Sequence, residues 1–351
     1  MAYVNRPGLA DAAHMVTTEE IVADIDAHYP GHPNLRAMRR IADATIGVHT
    51  RRFVRPLHMI GPTQSFETRN EWTVQAVCDL GARAARHALD LAGVSPKDIG
   101  TIITFHATGL AIPGLDVHVS NSLGLPVDAS RVPMSQLACA GGAHAVKLAA
   151  QLARPGRHVL VVGAEALSTV YQHSDASKAS MIYKLLFGDG GAAAVVSTEP
   201  LAQPGLRIDE TWEYVHRADG RGTEQNYRLR AQTDGYHFDS TPESVRAIAD
   251  VIPQVPWLKD GEPPADFGLV HPGSPTIIDR VVQAGACTEH GVRHSRATLA
   301  EYGNTGGSAV LRVLERTHDD PPRSGETGFL VGFGPGFVAA AARGTWVGSG
   351  G

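Results

Sequence analysis

Along this chain, short apolar runs alternate with segments in which apolar residues recur every three or four positions. Residues 71–94, EWTVQAVCDLGARAARHALDLAGV, carry the second pattern and run into a glycine, which predicts an amphipathic helix. Residues 99–105, IGTIITF, predict a buried strand. A second helix is expected over residues 142–152, stopped by Arg154-Pro155-Gly156. HVLVVGAEA, His158–Ala166, and GGAAAVVS, residues 190–197, read as two further strands. Strands alternating with helices predict an α/β fold.

The pattern repeats itself. CAGGAHAVKLAAQL followed by HVLVVGAEA resembles NTGGSAVLRVLERT followed by GFLVGFGPG, and TIITFHATG resembles FGLVHPGSP. One shift of 165 positions carries Cys139 onto Asn304 and His106 onto His271. Two separate matches at one shift argue for duplication, with halves over residues 1–200 and 201–351 that meet near Glu199-Pro200-Leu201. If an approximate two-fold axis relates the halves, their matching loops converge. Cys139 and Asn304 would then face one site from equivalent helix starts, and His271 would join them from the end of its strand.

Composition narrows the possibilities. The chain has 351 residues, 43% of them hydrophobic and 19% charged, enough for a large core in two halves. A net charge of −5 and the lack of a basic cluster argue against nucleic-acid binding. Three cysteines, Cys78, Cys139 and Cys287, are too few for a disulfide framework and fit a reducing, cytoplasmic compartment. The start of the chain does not read as a signal peptide, and no apolar run is long enough for a membrane span. Seventeen histidines are scattered without HExxH or Cys-x-x-Cys spacing, so no metal site is expected.

The stretch LACAGG, residues 137–142, holds the candidate chemistry. A cysteine attacks as its thiolate, and a helix N-terminus or a nearby imidazolium lowers a thiol pKa from about 8.5 to roughly 3.5–7.5. Cys139 precedes a predicted helix start, and Gly141 and Gly142 would let the backbone turn sharply and approach a ligand. His271 is the expected proton partner. Asn304 does not titrate and suits a carbonyl oxygen. Each has a plainer reading: Cys139 as a small core residue, His271 as the end of a strand before a turn, and Asn304 as a helix cap. His106 is either a relic of the duplication or a second functional group. Cys78 reads as structural and Cys287 as a helix-end residue.

LFGDGGAAAVV, VHPGSPTIID, EYGNTGGSAVL and GFGPGF, with GHPNLRAMRRIADATIGVHTRRFVRP and FETRNEWTV nearer the start, resemble the type III polyketide synthases, the chalcone-synthase-like condensing enzymes of the thiolase superfamily. The resemblance implies a thiolase-like five-layer αβαβα fold, a homodimer, and a Cys139–His271–Asn304 triad. The triad would load an acyl group from acyl-CoA and extend it with malonyl-CoA. Coenzyme A thioesters would be substrates, with no tightly bound cofactor, and an acyl carrier protein is the alternative carrier.

By the same resemblance Phe187 and Phe238 match two gatekeeper aromatics, and Ile112 a residue that enters the partner subunit's cavity. Arg51 and Arg52 match basic residues that meet coenzyme A phosphates. Thr305 and Gly306, with Gly307, stand where plant members have Met-Ser-Ser, so a larger or reshaped cavity floor is expected. Leu110-Ala111-Ile112 forms an apolar wall that suits an apolar starter. One residue, Ala140, separates Cys139 from its glycine pair where the family usually has two, as in the initiating ketoacyl-ACP synthases. That difference keeps two alternatives open, an initiating enzyme making one condensation and a thioester acyltransferase or hydrolase making none. A catalytically silent partner subunit is the non-enzymatic alternative.

Overall fold

The structure is a computed structural model that describes residues 1–218, 221–224, 226–258 and 262–348. Its elements in chain order are β1 (Ala2–Asn5), β2 (Gly8–Asp11), α1 (Phe66–Ala92), β3 (Ile99–His106), β4 (Ser130–Ser135), α2 (Gly141–Leu152), β5 (His158–Ala166), α3 (Lys178–Leu186), β6 (Asp189–Ser197), β7 (Pro204–Val215), β8 (Tyr227–Gln232), β9 (Gly235–Ser240), β10 (Phe267–Val270), α4 (Pro275–Gln283), α5 (Arg293–Tyr302), α6 (Ala309–Thr317), β11 (Thr327–Gly334) and β12 (Val338–Trp346), with shorter elements between some of them.

Helix α1 starts earlier than its apolar period suggests, because the Ser65 hydroxyl accepts from the Thr68 N–H. It ends where Gly93 takes a left-handed conformation, φ 67°. β5 is buried at every residue, which explains its continuous apolar run.

The duplication is visible in strand pairing. The main sheet runs β10-β11-β12-β7-β1-β6-β5-β3-β4, with β2 paired to β6. β3 lies parallel to β5, which pairs antiparallel with β6. β10 likewise lies parallel to β11, which pairs antiparallel with β12. Between these matching triplets β1 pairs antiparallel with β7, Tyr3 opposite Arg207, and closes the path.

Strand alternation sorts side chains into layers. From β5, Val159 and Val161 pack with Val146 and Ala149 of α2, Val310 and Val313 of α6, and Leu269 and Leu330 of the second half. Leu160 and Val162, from the same strand, face Val77, Leu80 and Ala84 of α1. On the far side, Phe329 and Val331 of β11 pack with Ile278 of α4 and Leu299 of α5. Helices α2 and α6 therefore form a central layer between the two halves of the sheet, with helices on both outer faces, as the five-layer expectation requires. Each sealed Val or Leu contributes about 1.5–3 kcal/mol relative to leaving it exposed, so the central helices are firmly seated. Among the described residues no helix is long and apolar enough to cross a membrane.

Candidate active site

The chain leaves β4 and reverses through Gln136, φ 68°, and Ala138, φ 44°, both non-glycine residues in the left-handed region. A short 3-10 turn, Ala138–Ala140, carries Cys139 into the start of α2. The sharp turn thus falls before the cysteine, not on the glycines after it. Gly142 serves another purpose: a Cβ there would lie 2.2 Å from the carbonyl oxygen of Gly307, its counterpart under the 165-residue shift. The two duplicated helix starts meet backbone to backbone. The GFGPG segment passes beneath, where a Cβ on Gly334 would come within 2.8 Å of the Leu137 oxygen.

This close meeting brings Asn304 to Cys139. The Asn304 Oδ1 accepts from the Gly306 N–H at 2.9 Å, which fixes which end of the carboxamide is which. Nδ2 then donates to the Gly273 carbonyl at 3.3 Å and lies 3.7 Å from the Cys139 sulfur. The Asn304 loop is held in turn by the Asn304 N–H to Leu186 carbonyl bond at 2.8 Å and the Gly188 N–H to Asn304 carbonyl bond at 3.1 Å.

His271 enters from the end of β10, its N–H bonded to the Val331 carbonyl at 2.9 Å. It is fully buried, and both ring nitrogens lack a hydrogen-bond partner among the described residues. A Cβ on Gly273 would sit 3.0 Å from its Nε2, so the ring lies against the residue whose carbonyl holds Asn304.

The electrostatics differ from the expectation of a lowered thiol pKa. Burial pushes the Cys139 thiol up to about 12, while its hydrogen bond to Asn304 pulls the other way. Burial also lowers His271 to about 3, so the imidazole is neutral and supplies no positive charge. Losing water costs a thiolate more here than the helix start returns. The resting pair is thiol and neutral imidazole.

Glu165, at the end of fully buried β5, was not singled out by its sequence. Its Oε2 accepts from the Ala107 N–H at 2.9 Å, and burial raises its pKa to about 8. A carboxylate inside an otherwise apolar strand was the available signal.

Phe187 and Phe238 pack edge to face, centroids 5.4 Å apart. Two tyrosines that the sequence did not flag complete the group. Tyr183 stacks on Phe187 at 4.9 Å, and Tyr227 meets Phe238 at 4.7 Å. Both phenols lie close enough to feel a charge on Cys139. Phe238 and Tyr227 belong to the β8–β9 hairpin, whose alternation YRLRAQ before Thr233-Asp234-Gly235 was the missed signal. The hairpin lines a cavity of about 540 Å³ together with Ala107, Leu110, Gln136 and Ala138. Phe187 lies behind this wall.

Several expected binding residues lie elsewhere. Arg51 is fully buried: it donates to the Thr18 hydroxyl at 3.0 Å and to the Leu185 carbonyl, bracing the segment before Phe187, so it cannot meet a phosphate at the surface. Arg52, beside it on a two-stranded ribbon opposite Met15, is half-buried. Thr305 is buried, and Gly306, φ 59°, would put a Cβ 2.9 Å from Glu165 Cγ. Neither lines the cavity. At Gly306 the absence of a side chain leaves room for Glu165. Ile112 is 98% exposed and Leu110 71%, an apolar tip on the surface. Cys287 lies beyond α4, buried and bridged to Ala265, and not at a helix end.

Tertiary structure also gathers Asp24, His28 and His173, with potential ligand atoms within 4.8 Å of one another. The two imidazoles stack, centroids 3.5 Å apart at 24°, and His173 Nε2 lies 2.7 Å from the Asp24 carboxylate.

The duplicated α/β halves bring a buried thiol to a carboxamide, with an imidazole, unpartnered among the described residues, against the residue that holds that carboxamide. The chain belongs to the chalcone and stilbene synthase family. The family's N-terminal domain matches residues 56–200 and its C-terminal domain residues 259–342. A 1,3,6,8-tetrahydroxynaphthalene synthase of Streptomyces coelicolor is 33% identical over 99% of this chain and 92% of its own. A phloroglucinol synthase of Pseudomonas fluorescens is 30% identical over 95% of this chain and 96% of its own. The solved structure of germicidin synthase from Streptomyces coelicolor, a type III polyketide synthase, superposes with a TM-score of 0.92 at 32% identity, covering 99% of each chain. The protein is a type III polyketide synthase.

Proposed function

We propose that this enzyme loads an acyl group from an acyl-CoA onto Cys139 and extends it by decarboxylative condensation with malonyl-CoA. The observation that carries the reading is the Asn304 carboxamide, locked with its N–H toward the Cys139 sulfur. Residues 1–200 supply the nucleophile, and residues 201–351 supply His271 and Asn304. In loading, the sulfur attacks the thioester carbonyl while the neutral His271 takes the thiol proton. The bond from that carbon to coenzyme A breaks, and the coenzyme A thiolate recovers the proton. In extension, Asn304 Nδ2–H and His271 N–H hold the malonyl thioester oxygen as carbon dioxide leaves. The resulting enolate attacks the acyl-cysteine carbonyl: the new C–C bond forms, the C–S bond breaks, and the Cys139 thiolate takes up a proton. The lengthened β-keto chain, now on coenzyme A, is loaded back onto Cys139 as in the first step. Phe187 and Phe238 stand as the gate through which the thioesters approach.

Malonyl-CoA labelled at its free carboxylate, given with a panel of acyl-CoA starters, tests this. Labelled carbon dioxide should be released in step with products two or more carbons longer than the starter. Release of coenzyme A without labelled carbon dioxide would mean simple acyl transfer.

The same reading includes a homodimer. Its support is the apolar tip Leu110-Ala111-Ile112, which is costly to leave in water. Light scattering should give twice the chain mass for the native enzyme, and Ile112→Glu should shift it toward the monomer. A native enzyme that is monomeric at micromolar concentration would refute the dimer.

A further inference from the structure

Duplication placed a histidine at the end of both β3 and β10, and the two have come to differ. His271 is sealed, with neither nitrogen bonded among the described residues. His106 is half-buried and sits on the wall of the 540 Å³ cavity. Its Nδ1 lies 2.8 Å from the Thr108 carbonyl oxygen. A carbonyl only accepts, so Nδ1 carries the proton, and in the neutral ring Nε2 must then be a bare lone pair. Among the described residues nothing bonds Nε2, and it is not sealed from solvent as the His271 nitrogens are. Burial lowers the His106 pKa, which keeps the base form populated at neutral pH.

The position ties this lone pair to the nucleophile. Ser135 stands beside His106 in register on β4 and lines the same cavity, as does Ala138, the residue before Cys139. The next residue, Ala107, anchors the buried Glu165 through its N–H at 2.9 Å. Cys139 itself does not line the cavity, so a chain held on the sulfur would reach the imidazole by passing Ala138 into it.

We infer that His106 is a second catalytic base of this enzyme, acting on the extended β-keto chain at ring closure. The inference rests on the reading above, since it needs a β-keto thioester on Cys139. Such a chain offers acidic protons on the methylenes between carbonyls and on their enol hydroxyls. Nε2 removes one, and the enolate carbon or oxygen attacks the Cys139 thioester carbonyl. The new C–C or C–O bond forms and the C–S bond breaks. The proton held on His106 passes to the departing sulfur, restoring both groups with no outside reactant.

Three variants test it. His106→Asn can keep the donor to Thr108 while removing the base, His106→Gln places an amide near Nε2, and His106→Ala removes both. Each is given labelled malonyl-CoA and the starter the native enzyme uses fastest. Acyl loading and carbon dioxide release should stay within about twofold of native, which shows the fold and the condensing site intact. The ratio of cyclised to linear product should fall by about 10²-fold in all three, the lower end expected for loss of a general base. An unchanged ratio in His106→Asn, loss of loading in that variant, or a native product with no ring would each overturn the assignment. Absence of carbon dioxide release from the native enzyme would instead sink the proposed function itself.

Discussion

Cys139→Ala should leave no acyl adduct on the protein after incubation with any acyl-CoA, and polyketide formation should fall by at least about 10³-fold. The expectation follows from position. Cys139 is the thiol at the meeting point of the two duplicated helix starts, 3.7 Å from an oriented carboxamide nitrogen. Cys78 lies on α1 and Cys287 beyond α4, in other parts of the fold. The substitution removes one small sulfur from a buried site, so the thermal midpoint should move little, and circular dichroism should match the native enzyme. Intact-protein mass spectrometry gives the readout. A full-sized acyl adduct on the variant would place the nucleophile elsewhere.

Asn304→Asp is the second large effect. The carboxylate keeps an oxygen for the Gly306 N–H, so the loop retains its 2.9 Å bond, but the N–H aimed at the sulfur is gone. Removing one donor from an oxyanion site costs about 10²–10³ in rate, roughly 2.7–4 kcal/mol. Carbon dioxide release from malonyl-CoA should fall by that factor, while the adduct on Cys139 still forms. Asn304→Ala should show the same loss with an added stability penalty of about 1–3 kcal/mol, because the buried Gly306 N–H then has no partner. Decarboxylation unchanged in the Asp variant would reduce Asn304 to a helix cap.

How much of this was legible in the chain differs from residue to residue. The 165-residue repeat paired Cys139 with Asn304, and the structure brings these two side chains within 3.7 Å of each other, because duplicated loops keep their place at the ends of duplicated strands. The β8–β9 hairpin was missed, although its alternation and Asp-Gly turn were present, because its polar positions resemble an ordinary surface loop. With it went Tyr227, and Tyr183 was missed on α3, where an aromatic at helical spacing reads as core. Arg51 was misplaced because a basic residue looks exposed in a sequence, whereas a guanidinium bonded to a hydroxyl and a carbonyl can be fully buried.

The sequence by itself determined the α/β class and the duplication and nominated Cys139, His271 and Asn304, since these are written in apolar period and in spacing. Only the tertiary structure decided their chemical state. Burial depends on what packs around a group, and no spacing reports it. Burial pushes the Cys139 thiol up and the His271 imidazole down, and a carbonyl two residues away holds the Nδ1 proton of His106 at the edge of a cavity.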